Sequence, residues 1–295
     1  MKRLLMAACA LLLVVGGLLP TSAKADTAID EKLGVPIVVL GANLTDAEKE
    51  SVKKSLNVEE TAEVDEITVD GNDLVKYIKD GNSQARMYSS AKITRQDEGK
   101  GLVIKIVTPD NITQVTNEMY ATAMLTAGIE DAIVEVAAPK PVTGHSALVG
   151  IYKAYEVSGE TLDTERTDVA NDELNLATKF AKDSGIDQDK VAELLTEIKK
   201  AIADNKPATK EEVEKIVNDQ LKKLNIELSE ADRQLLIELM DRIRNLNIDF
   251  GKLSEQLSDM ATTIKEKFGE IDPGFWDKVK QFFADLFESI KSWFN

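Results

Sequence analysis

The sequence is poor in the residue types that most often carry chemistry. The 295-residue chain has one cysteine and one histidine. Cys9 lies within the first ten residues, so the rest of the chain can form neither a disulfide nor a thiolate metal site. His145 by itself cannot supply a zinc site of two or three imidazoles, and it leaves only one possible imidazole base. There is no P-loop and no G-x-G-x-x-G, and Asp70-Gly71-Asn72-Asp73 is too short for an EF-hand loop. No cofactor or metal is therefore expected. Cationic residues are outnumbered, with 36 Lys and Arg against 52 Asp and Glu, and the net charge of −16 argues against nucleic acid as a partner. Apolar runs long enough to span a bilayer are missing after the first 25 residues.

Those first residues have a pattern of their own. Lys2 and Arg3 precede an apolar run from Leu4 to Leu19, followed by Pro20 and the small-residue triplet Ala23-Lys24-Ala25. A basic start, an apolar stretch and an A-x-A site are what a secretory signal peptide needs, and cleavage is expected after Ala25. Cys9 sits inside the apolar run and not after it, where a lipoprotein site would place it. The expected location is secreted or associated with the cell envelope. Folding there without disulfides requires a core large enough to suffice alone.

Residues 34–160 alternate short β-like runs with helical ones, in the order β-α-β-α-β-β-α-β-α. This predicts a mixed α/β domain (α/β or α+β). Val35 to Leu40 is a β-branched strand run. Thr45 with Glu48 forms a capping box signal for a helix to about Leu56. Strands are expected at 63–69, 87–94, 102–108 and 132–138. The glycines of Asp97-Glu98-Gly99-Lys100-Gly101 suggest a hairpin between the third and fourth. Met119, Tyr120, Ala123, Met124 and Ala127 mark a helix ended by Gly128, and a further helix is expected over 144–157.

From 161 to 268 the pattern is helical throughout. Helices are expected at about 163–183, 188–204, 209–224, 229–245 and 250–268, with the short connections of a bundle. Val191, Leu194, Leu195, Ile198 and Ile202 share a face, as do Leu235, Leu236, Leu239, Met240 and Ile243, and such stripes are core.

Residues 273–295 form a separate amphipathic aromatic helix by pattern, holding five of the eight Phe and both Trp. Asp272-Pro273 starts it. The face carrying Phe275, Trp276, Phe283, Phe287 and Trp293 must be covered. It can dock on the rest of the chain, lie on a membrane surface, or bind a protein partner.

No catalytic residue can be assigned. Gly144-His145-Ser146-Ala147-Leu148 fails the G-x-S-x-G pattern at Leu148, and neighbours in sequence rarely form a triad. Thr143 is expected to cap the helix, with Ser146 at its third position. Because helix N-termini attract anions, Thr143, His145 and Ser146 form a candidate ligand site. Arg86 and Ser90, flanking Met87-Tyr88-Ser89, are the other candidates, against the plainer reading of an edge strand.

Several stretches together resemble a known family. They are Leu40-Gly41-Ala42-Asn43-Leu44-Thr45, Ala85-Arg86-Met87-Tyr88-Ser89-Ser90-Ala91, Glu118-Met119-Tyr120-Ala121 through Thr126-Ala127-Gly128-Ile129, Val134 to Pro139, Val142-Thr143-Gly144, and Ala147 to Glu156. The chain resembles secreted proteins of Gram-positive bacteria grouped as domain of unknown function 1002, over about residues 35–265. The resemblance implies an extracellular setting and assigns no reaction. The expected function is a non-enzymatic binding or interaction protein. The alternative is a carboxylate-dependent hydrolase of a cell-wall or other extracellular polymer, which would show two facing carboxylates in a cleft. A small-ligand binder would instead show a pocket at the helix start after Pro141.

Overall fold

The computed structural model describes residues 33–58, 63–249, 251–253 and 255–256. The expected signal peptide, the aromatic segment 273–295 with Phe275, Trp276, Phe283, Phe287 and Trp293, and most of the helix expected at 250–268 lie outside the described residues.

The fold is a mixed α/β structure continued by helices. Its strands are β1 (Ile37–Gly41), β2 (Asp65–Val69), β3 (Ser90–Arg95), β4 (Leu102–Ile106) and β5 (Ala132–Ala137). Its helices are α1 (Asp46–Ser55), α2 (Gly71–Tyr77), α3 (Asn117–Ala127), α4 (His145–Val157), α5 (Thr164–Asp183), α6 (Gln188–Asn205), α7 (Lys210–Lys223) and α8 (Glu230–Asn245). Local signals set most of the boundaries. Thr45 and Glu48 make both bonds of the capping box of α1, and Asp70 with Asp73 does the same for α2. Thr116 caps α3, whose end is turned by Gly128 at φ 94°.

The sheet order is β2-β1-β3-β5-β4. The expected hairpin is not formed, because β5 lies between β3 and β4. It pairs antiparallel with β3, Ser90 opposite Ala137, and parallel with β4, Leu102 opposite Ala132. Gly99 and Gly101 do turn the chain, with φ of 81° and 76°, but the turn passes over the start of β5. There Asp131 accepts from Gly101 N at 2.8 Å. The run AIVEVA of β5 is buried almost throughout, so the interior of the sheet is its favoured place. β3 is likewise interior and not an edge strand.

Both faces of the sheet are covered. Val38, Leu40 and Ala137 pack with Leu44, Val52 and Leu56 of the α1 side. Ile37, Val39, Ile93, Val134 and Val136 face the layer formed by α2, α3 and α4. The same apolar cluster runs on through Met124, Leu174, Phe180, Leu194, Val217 and Leu236 to Ile243, so sheet and helices share one core. On α8 the buried stripe is Leu236, Ile237, Leu239, Met240 and Ile243. Leu235, expected on that face, is 43% exposed, because the helix is rotated to bury Ile237.

A charged pair lies inside this core. Lys199 of α6 and Glu173 of α5 form an ion pair with side chains 0% and 1% exposed. Lys199 also donates to Thr122 O at 3.0 Å and to Thr126 Oγ1 at 2.7 Å, and the Thr126 hydroxyl reaches Glu173 Oε2 at 2.7 Å. Burial pushes the Lys199 pKa below its ordinary value, while Glu173 pulls in the opposite direction. Three helices, α3, α5 and α6, are tied together at this point.

Candidate functional site

The start of α4 is built by several segments meeting at one turn. After β5 the chain is stitched to the loop following β4. Asn111 Nδ2 donates to Ala138 O at 2.8 Å, Val142 N donates to Asn111 O at 2.9 Å, and Thr113 N donates to Val142 O at 2.9 Å. Gly144 then closes the turn at φ 103°. A Cβ at Gly144 would sit 2.7 Å from Tyr120 Oη and 2.9 Å from Ile112 Cγ2, so both backbone and space require glycine. The N-cap is Gly144 and not Thr143, which places His145 first and Ser146 second in the helix. The Gly144 carbonyl holds the turn in place of a threonine hydroxyl. It accepts from Tyr120 Oη at 2.6 Å and from Ser89 Oγ at 3.2 Å.

Residues 78–89 form the opposite wall. Met87 is anchored to the loop after β1, where Asn43 Oδ1 accepts from Met87 N at 2.7 Å and Asn43 N donates to Met87 O at 3.1 Å. Gly41 allows this approach, since a Cβ there would lie 2.4 Å from Met87 O. Ser146 is spent on the same wall. Ser89 N donates to Ser146 Oγ at 3.1 Å, and the two hydroxyls are 2.6 Å apart. Because the Ser89 proton points to Gly144 O, Ser146 donates to Ser89. Its proton faces a hydroxyl and no base, so Ser146 is not set up as a nucleophile.

His145 is oriented away from Ser146. Its Nε2 lies 3.3 Å from Thr178 Oγ1, and the Thr178 hydroxyl proton is directed at the carbonyls of Leu174 and Asn175, each 3.0 Å away. Nε2 therefore carries the hydrogen and donates, leaving Nδ1 as an acceptor. Burial pushes the imidazole pKa down, which keeps it neutral at neutral pH.

Between these walls is a cavity of about 530 Å³. Leu74, Ile78, Met87, Val142 and Val149 supply its apolar lining. Arg86, Thr143, His145 and Ser146, four of the residues singled out in the sequence, line it together. Ser90 does not. It is 1% exposed in β3, where its Oγ accepts from Gly41 N at 3.2 Å. The sequence reading missed Asp80, Asn171 and Asn175, which also line the cavity. The asparagines are one helical turn apart on α5, a spacing indistinguishable in sequence from an ordinary solvated face. The side chains of Arg86, Asp80, Asn171 and Asn175 make no hydrogen bond or ion pair with any other described residue. An adjoining hollow shares Asp80, Asn171 and Asn175 and adds Asp168, Asp172 and Arg242. There Arg242 holds Asp172 at 2.5 Å and Asp168 at 3.1 Å.

Among the described residues, no group of three or more His, Cys, Asp or Glu is placed to hold a metal ion. Among the same residues, no helix is long and apolar enough to cross a membrane.

Comparison with known proteins places this geometry in context. The sequence profile of the family described as "Protein of unknown function (DUF1002)" matches residues 40–260. The chain is 36% identical to the uncharacterized protein YpuA of Bacillus subtilis (strain 168) over 299 residues, covering 99% of this chain and 98% of that one. No solved structure matches it.

Proposed function

The chain belongs to the DUF1002 family, and on that premise we propose that it is an exported, non-enzymatic binding protein that holds a small, partly apolar molecule in the cavity at the start of α4. One observation carries the reading. A cavity of about 530 Å³ is walled by aliphatic side chains, and four polar side chains on it have no partner among the described residues. That combination of volume, apolar lining and a few free polar groups is what small-molecule sites share. The placement of the stretches that carry the family resemblance supports it. Residues 40–45, 85–91, the Tyr120 hydroxyl and 142–144 come from four separate stretches, and all four build the turn and wall of this cavity.

The hydrolase alternative draws less support. It needs two free carboxylates across a cleft. Among the described residues Asp80 is the one carboxylate on the cavity, and in the adjoining hollow Asp168 and Asp172 are both ion-paired with Arg242. Export rests on the leader pattern at residues 1–25. Retention at a membrane surface or on a protein partner would rest on the aromatic segment 273–295.

The test is a thermal-shift screen of small envelope and medium metabolites against the protein and its Asn175→Trp variant, in which an exposed lining residue is enlarged to fill the cavity. Compounds that raise Tm in the parent and not in the variant support the reading. If every stabilising compound acts equally on both, binding is elsewhere and the reading fails.

A further inference from the structure

We propose that the molecule held in the α4 cavity is a short peptide with both termini free and an aliphatic side chain. This rests on the cavity being a binding site and adds the class of its ligand.

The first argument is charge. Arg86 and Asp80 lie on the same cavity, carry opposite charges, and pair neither with each other nor with any other described residue. Two opposite charges separated on one wall complement a molecule that carries both signs itself, a carboxylate for the guanidinium and an ammonium for the aspartate. A ligand with one sign of charge would leave one of them idle.

The second argument is the pair of amides on the same cavity. Asn171 and Asn175 each present an unpartnered amide to the cavity, and a primary amide offers both donor and acceptor. That matches the peptide group, which needs one of each. The neutral imidazole of His145, with Nδ1 as acceptor, adds an uncharged contact in the same wall.

The third argument is the apolar wall, which separates peptide from sugar. Leu74, Ile78, Met87, Val142 and Val149 make an aliphatic surface suited to an alkyl side chain. A sugar ring stacks best on a flat aromatic face. Among the described residues Tyr88 is the one Phe, Tyr or Trp lining the cavity, and Lys140 Nζ already stands 4.3 Å from the centroid of its ring.

Isothermal titration of the purified protein with leucyl-leucine, its N-acetyl derivative and its C-terminal amide tests this directly. Leucyl-leucine should bind, and blocking either terminus should weaken binding by about tenfold or more. Asp80→Asn should weaken the free dipeptide and leave the N-acetyl form unaffected. Arg86→Gln should weaken the free dipeptide and leave the amide unaffected. Both substitutions are at exposed positions, so folding is preserved, and far-UV circular dichroism melts check this. Equal binding of all three peptides, or effects of the variants that do not follow the blocked terminus, would overturn the assignment. So would a failure of leucyl-leucine and other aliphatic dipeptides to bind at millimolar concentration. Chito-oligosaccharides run in parallel separate the two levels. If they bind and Asn175→Trp abolishes it, the ligand class is wrong and the cavity reading stands. If no compound shows binding sensitive to Asn175→Trp, both fail.

Discussion

Replacing Lys199 by methionine should be among the most damaging single changes available in this chain, and replacing its partner as well should undo much of the damage. Lys199→Met removes an ammonium that holds Thr122 O, Thr126 Oγ1 and Glu173 inside a core where both charged side chains are at most 1% exposed. The carboxylate of Glu173 would keep only the Thr126 hydroxyl. Leaving one charge of a buried pair unpaired costs about 3–5 kcal/mol, whereas swapping both for apolar residues of similar size is often neutral or better. Glu173→Leu alone should cost a similar amount, for the reverse reason. The double variant Lys199→Met/Glu173→Leu should lie within about 1 kcal/mol of the parent, giving a coupling energy of several kcal/mol. Urea unfolding followed by circular dichroism, with an unchanged m-value as control, measures all four proteins. If each single variant costs under about 1 kcal/mol, or the double costs the sum of the two, the pair is not a desolvated charge couple and the reasoning is wrong.

Three further outcomes are expected. Gly144→Ala should destabilise by at least about 2 kcal/mol, since φ of 103° and a Cβ 2.7 Å from Tyr120 Oη are both unfavourable, and thermal melts will show it. Tyr152→Phe should be nearly neutral, within about 1 kcal/mol, because the buried hydroxyl has no hydrogen-bond partner among the described residues. A loss larger than about 2 kcal/mol would mean that the hydroxyl is bonded. His145 should make stability pH-dependent. Its folded pKa lies below the ordinary 6.5, so below that pH the unfolded chain takes up a proton that the folded chain resists. Stability from this group is then complete above about 6.5 and falls as pH drops toward the folded pKa, and His145→Gln should flatten that part of the urea-midpoint profile.

What could be read in the sequence was mostly what adjacent residues decide. Thr45 with Glu48 and Gly128 act within one turn, and their helices begin and end where those signals lie. The element order and the mixed α/β class follow from such local patterns. Strand pairing does not. Gly99 and Gly101 turn the chain as expected, but whether β3 meets β4 is settled by where the apolar run 132–137 inserts, and that is a long-range competition. The cap of α4 was misplaced for a related reason. Thr143 is a good capping residue in isolation, but the carbonyl of Gly144 is held by Tyr120 and Ser89, which lie far away in the chain. Leu235 shows the limit of helical spacing, since neighbouring residues on a stripe edge can trade places by a small rotation. At the cavity, Arg86 and residues 143–146 carried visible signals, whereas Asn171 and Asn175 matter only because the fold brings α5 to the cavity at the start of α4. The one missed signal that was available is Glu173 and Lys199. Glu173 falls between Ala170, Leu174 and Ala177, and Lys199 between Leu195, Ile198 and Ile202, so each interrupts an apolar stripe.

The most direct measurement is a methyl NMR titration of the protein with a small-molecule extract of its own growth medium. If the cavity at the start of α4 is a binding site, shifts will concentrate on Leu74, Ile78, Met87, Val142 and Val149 and spare Val217, Leu236 and Ile243 in α7 and α8. Shifts confined to α7 and α8, or none anywhere while the extract contains free peptides, would contradict the account.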